Sequence, residues 1–134
     1  MVFTGLTKCH KEPYPEISPK HPERVIILGR RPEKLDSAVV ELVREATFVG
    51  SPTVTEGRVC DVSDLESSAS FWDRLRDGGI VVDVLVLNAA AVGVIKPLVE
   101  IGRDNILKDF DLNFCTNLDF TECLYKQEGQ GAGG

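Results

Sequence analysis

Two solidly apolar runs and one alternating run, separated by stretches of helical period, limit most strongly what this chain can fold into. Val25-Ile26-Ile27-Leu28 is rich in β-branched residues and closes on Gly29, as expected of a strand buried on both faces. Val81-Val82-Asp83-Val84-Leu85-Val86-Leu87 is another almost wholly apolar strand. Between them, the stretch from Thr55 to Val62 alternates rather than running solid, which predicts a weaker strand.

The intervening stretches read as helices. Pro32 suits a first helical turn, and Leu35, Ala38, Val39, Leu42, Val43 and Ala46 recur at three- and four-residue spacing, giving one apolar stripe. Ser63-Asp64-Leu65-Glu66 has the form of a capping box. The helix it opens runs through Trp72 and Leu75 and stops at Gly78-Gly79, where a left-handed cap is cheap. A last helix is expected from about Arg103 to Lys126, with Ile106, Phe110, Phe114 and Leu118 on one face. Asn113, one heptad after Ile106, shares that stripe. Its amide must find a partner or the helix is less buried than its pattern implies. Asn117 reads as a surface residue. Strand alternating with helix at these lengths predicts an α/β fold, a partial Rossmann-type doubly wound parallel sheet with three clear strands.

Length allows one domain, since 134 residues leave little for a second core. Four of the seven prolines (Pro13, Pro15, Pro19, Pro22) fall in residues 1–23, too dense for a useful helix. Residues 24–126 carry the fold pattern, and 127–134 form a Gly-rich tail. A net charge of −6 argues against nucleic acid or anionic lipid as partner. No apolar run approaches the roughly 20 residues that cross a bilayer, and Met1 to His10 lacks a secretory h-region. Cys9, Cys60, Cys115 and Cys123 form no C-x-x-C pair and read as reduced core thiols of a cytoplasmic protein. His10 and His21, the only histidines, make no metal site.

In parallel sheets of this kind ligands sit beyond the carboxyl ends of the strands. After the first strand comes Gly29-Arg30-Arg31. A guanidinium there can grip a 2′-phosphate on an adenine ribose, or both arginines are simply solvated at a helix start. After the second comes Cys60-Asp61-Val62. The carboxylate can accept from an adenine amino group while the next amide reaches a ring nitrogen, or Asp61 is a turn residue. After the third comes Leu87-Asn88-Ala89-Ala90-Ala91. Small residues admit a ribose and Asn88 can bridge neighbouring strands, or the segment is a plain turn.

Together these pieces resemble the short-chain dehydrogenase/reductase family. They are V-I-I-L-G-R-R-P-E-K-L (25–35), C-D-V-S-D (60–64), D-V-L-V-L-N-A-A (83–90) and F-D-L-N-F (110–114), in the family's order over about residues 24 to 125. The resemblance implies an NADP-dependent oxidoreductase of carbonyl or alcohol substrates. It implies Arg30 at the 2′-phosphate, Asp61 and Val62 at the adenine, and Asn88 and Ala89 at the ribose. It makes Asn113 the family's supporting Asn, which helps hold an active-site lysine through a water. It also implies a central first strand, for which Val2-Phe3-Thr4-Gly5 is only a stub.

The departures are specific. The family's Asn-Asn-Ala-Gly turn is Leu87-Asn88-Ala89-Ala90 here. The glycines that would follow Gly5 in the pyrophosphate loop are replaced by Cys9 and Lys11. No Tyr-x-x-x-Lys is present: Tyr14 lies among prolines, and Tyr125-Lys126 are adjacent, so on a helix they point about 100° apart. No catalytic residue is therefore expected, and the substrate is not legible. Two other readings stand beside a truncated family member. One is a non-catalytic module that pairs, with its own kind or a complete relative, through the 103–126 helix. The other is a product of intron or frame errors at both ends of the gene.

Overall fold

The structure, a computed structural model, describes residues 2–4, 22–90, 93 and 95–129. It comprises two compact units, Met1–Asp61 with Val82–Asn88, and Val62–Val81 with Ala89–Gly134.

The first unit is a parallel sheet with one helix. Its strands are β1 (Val2–Thr4), β2 (Arg24–Gly29), β3 (Val54–Val59) and β4 (Leu85–Leu87), and its helix is α1 (Pro32–Phe48). The sheet order is β3-β2-β1-β4, and every pairing is parallel. This is the order in which a Rossmann-type sheet begins. The expected α/β class and the stub-like central strand both hold: β1 is three residues long and lies between β2 and β4.

Val25, Ile26, Ile27 and Leu28 are all buried. Alternation sends Val25 and Ile27 to one face, where Leu35, Ala38 and Val39 of α1 close over them. Each such fully buried aliphatic side chain contributes about 1.5–3 kcal/mol, an upper figure because the unfolded chain already hides some apolar surface. Pro32 stands at the start of α1 as expected. The helix ends in a Schellman arrangement, in which Gly50 N–H donates to Thr47 O and Ser51 N–H to Ala46 O.

Two strands are shorter than the hydrophobic pattern implied. β4 occupies only Leu85–Leu87, which are the three residues registered against the three of β1. An apolar run reports burial, whereas a ladder needs a partner of matching length. β3 stops at Val59, so Cys60, Asp61 and Val62 lie beyond its end.

The second unit is helical: α2 (Leu65–Asp77), α3 (Leu98–Ile101), α4 (Arg103–Phe110), a π-helical turn (Asp111–Cys115) and α5 (Thr116–Gly129). Its core gathers Phe71, Trp72 and Phe120, with ring centroids 5.7–6.3 Å apart. Phe71 and Phe120 are almost fully buried. The cap of α2 is displaced by one residue from the capping box. Asp64, not Ser63, is the N-cap, and its carboxylate accepts from Glu66 N–H and Ser67 N–H. A carboxylate reaches two amides at once and also suits the positive end of the helix. At the far end Gly79 takes a φ of +65°, while Ile80 N–H donates to Leu75 O and Gly79 N–H to Arg76 O.

The long last helix departs most from expectation. Ile106, Phe110, Phe114 and Leu118 are exposed, and Phe110 stacks on Phe114 with centroids 5.0 Å apart. The inward face carries Thr116 and Phe120, with Asn113 and Cys123 half-buried. Phe120 packing on Phe71 and Trp72 sets this face inward, although Thr116, Asn117 and Cys123 make it the less apolar of the two. The proline-rich segment through His21, the loop glycine positions at Gly5, Cys9 and Lys11, and the tail beyond Gly129 lie outside the described residues.

Candidate functional site at the strand ends

In the sheet unit, β2 and β3 run in register from Arg24 opposite Val54 to Gly29 opposite Val59. The other end of this pair is tied where Thr53 Oγ1 donates to Pro22 O at 2.7 Å and Val54 N–H to Glu23 O at 3.0 Å. At the carboxyl end the ladder continues one step further, with Cys60 N–H donating to Gly29 O at 3.1 Å. Cys60 itself is buried, which fixes the backbone there. Arg30 and Asp61 thus leave adjacent strands side by side.

Their side chains meet: Arg30 Nη1 lies 4.0 Å from Asp61 Oδ2. The side chains are 72% and 40% exposed, respectively, so the pair is solvent-screened and weak. Arg31 is the N-cap of α1, with extended backbone and no side-chain hydrogen bond to the helix. Its carbonyl accepts from Lys34 and Leu35 N–H. Two guanidinium groups therefore stand at the positive end of a 17-residue helix, where cations are disfavoured unless an anion joins them. Two carboxylates, Asp61 and Glu33 in the first turn of α1, offset part of that charge.

Asn88 follows β4 directly and is half-buried, at the end of the same sheet. The structure thus brings Arg30 and Asp61 into contact and sets Asn88 on the same carboxyl edge. Val62, Ala89 and Asn113 belong to the helical unit. There Val62 carbonyl accepts from Ser68 Oγ at 3.3 Å, inside the turn that opens α2. Ala89 is half-buried.

Asn113 sits within the π-helical turn, a feature that often marks functional positions. Its carbonyl accepts from Asn117 Nδ2 at 2.8 Å. Asn117 is thus engaged and half-buried rather than a plain surface residue; the N-x-x-x-N spacing was the available signal. The same turn holds Cys115, whose thiol is pushed above its ordinary pKa by part-burial and then by the Asp111 carboxylate, with which it is hydrogen-bonded. Cys60, Cys115 and Cys123 are free thiols. Among the described residues no cluster of His, Cys, Asp and Glu could hold a metal, and no helix is long and apolar enough to cross a membrane.

The chain is similar to a solved structure of a provisionally assigned gluconate dehydrogenase from Agrobacterium tumefaciens. The two share 28% identity with a TM-score of 0.62, over 78% of this chain. The chain spans 39% of that protein's length. No family model and no curated protein matches the chain.

Proposed function

We propose that this chain carries the adenosine-facing part of a nicotinamide-dinucleotide site in a short-chain dehydrogenase/reductase-like protein, with NADP preferred over NAD. The observation that supports it best is the placement of Arg30 and Asp61 side by side where β2 and β3 end, with Arg31 at the start of α1. Likeness to a dehydrogenase structure at 28% identity favours the same class of chemistry.

The residues present fit the adenosine end of such a cofactor. Arg30 would hold the 2′-phosphate, with Arg31 adding charge beside it. Asp61 would accept from the adenine amino group and Val62 N–H would reach the ring. Asn88 and Ala89 would lie along the ribose. The bound nicotinamide supplies the hydride of the family's reaction. The sequence contains no Tyr-x-x-x-Lys to move the accompanying proton, so a polypeptide of these 134 residues binds without turning over carbonyl or alcohol substrates. The cytoplasm, where thiols stay reduced, suits its free cysteines.

Thermal unfolding with NADPH and NADH tests this reading. A ligand that binds only the folded state raises the melting temperature with concentration. NADPH should do so at lower concentration than NADH, with no NADPH oxidation over a panel of aldehydes and ketones. No shift from either at millimolar concentration would overturn it.

A second reading draws on the exposed, stacked Phe110 and Phe114. That face would pair with a second copy or a complete relative, making the chain a non-catalytic partner. Sedimentation velocity, alone and mixed with such a relative, separates the two.

A further inference from the structure

We infer that Asp61 is a specificity-determining residue that competes with a ligand's phosphate for Arg30 and so weakens selection of a 2′-phosphorylated adenosine. This rests on the reading of the strand ends as an adenosine site.

The Cys60 N–H to Gly29 O bond holds the two chain exits together, and Arg30 Nη1 reaches Asp61 Oδ2 at 4.0 Å across them. The guanidinium is therefore already shared with a carboxylate before any ligand arrives. A phosphate monoester brings a charge of about −1.5 to −2 near neutral pH. To take Arg30 it must draw the guanidinium away from Asp61. A free 2′-hydroxyl makes no such demand: it leaves the ion pair standing. The carboxylate thus penalises the phosphorylated ligand while leaving the unphosphorylated one untouched. Because both side chains are more than a third exposed, solvent screens the competition and the effect is a few-fold rather than a switch.

Isothermal titration with 2′,5′-ADP and 5′-AMP, which differ only in the 2′-phosphate, reads this directly. The quantity is the ratio of the two dissociation constants in wild type, Asp61→Asn, Asp61→Ser and Arg30→Gln. Wild type should prefer 2′,5′-ADP, and both Asp61 variants should widen that preference about two- to fivefold. Arg30→Gln should bring the ratio towards one. Adding Asp61→Asn to Arg30→Gln should then change it much less than in wild type, which marks coupling through Arg30 rather than a general charge effect. If wild type binds both nucleotides and the Asp61 variants leave the ratio unchanged or narrow it, this inference falls and the adenosine site survives. If wild type binds neither, the site and the inference fall together.

Discussion

Gly57 of β3 lies directly under Leu35 of α1: a Cβ built on Gly57 would stand 2.6 Å from Leu35 Cγ and 3.1 Å from Val39 Cγ2. Leu35 is only 3% exposed and has no room to retreat. The absence of a side chain at Gly57 is therefore what lets α1 settle on the sheet. Gly57→Ala should destabilise the protein by about 1–3 kcal/mol, the usual range for overpacking. Urea denaturation would measure it, and Leu35→Ala in the same chain should make the added methyl far less harmful. Equal effects of Gly57→Ala in both backgrounds would show that the contact is not the cause.

The stripe of α1 and the solid strand β2 were legible because Val25–Leu28 and the Leu35–Ala46 spacing each admit one simple reading. Gly57 only weakened a strand pattern, since sequence gives no register between β3 and a helix. The site was legible in part for the same reason. Arg30 and Asn88 follow apolar runs and Asp61 follows an alternating one, so all three could be placed at strand ends. That Arg30 and Asp61 touch depends on the β2–β3 register, which no spacing along the chain encodes. The inward face of the last helix was hidden because Phe120 shares it with Thr116, Asn117 and Cys123, while the outer face holds more hydrophobic residues.

The helical unit gives a sharp contrast between phenylalanines. Phe120 is 1% exposed and packs against Phe71 and Trp72, whereas Phe114 is 57% exposed. Phe120→Ala should remove about 3–5 kcal/mol. Phe114→Ala should lose mainly its stacking on Phe110, about 0.5–1.5 kcal/mol. Equilibrium unfolding of the two variants side by side checks the ranking; a reversed order would place the wrong face inward.

Asp64 supplies a side-chain cap at the start of α2, accepting from two backbone amides. Asp64→Ala should therefore lower stability by about 0.5–2 kcal/mol, while Asp64→Asn keeps most of the hydrogen bonding. Melting temperatures suffice. An unchanged melting temperature in Asp64→Ala would mean that the two cap bonds contribute nothing.

The Cys115 thiol should be slow to react. Its pKa is raised, first by part-burial and then by Asp111, so at any given pH less thiolate is present than for an open cysteine. Peptide-resolved iodoacetamide rates should show its midpoint displaced to higher pH. Asp111→Asn removes the neighbouring charge and should move that midpoint back down part of the way, leaving the share due to burial. A midpoint at the ordinary cysteine value in the wild-type protein would contradict the arrangement.

Amide chemical-shift mapping during titration with NADP tests most directly the proposal that the carboxyl ends of β2, β3 and β4 form the adenosine end of a dinucleotide site. The largest shifts should fall on Arg30, Arg31, Asp61, Val62, Asn88 and Ala89, saturating together. No saturable shifts at millimolar NADP, or shifts centred on Phe110 to Leu118 instead, would contradict it.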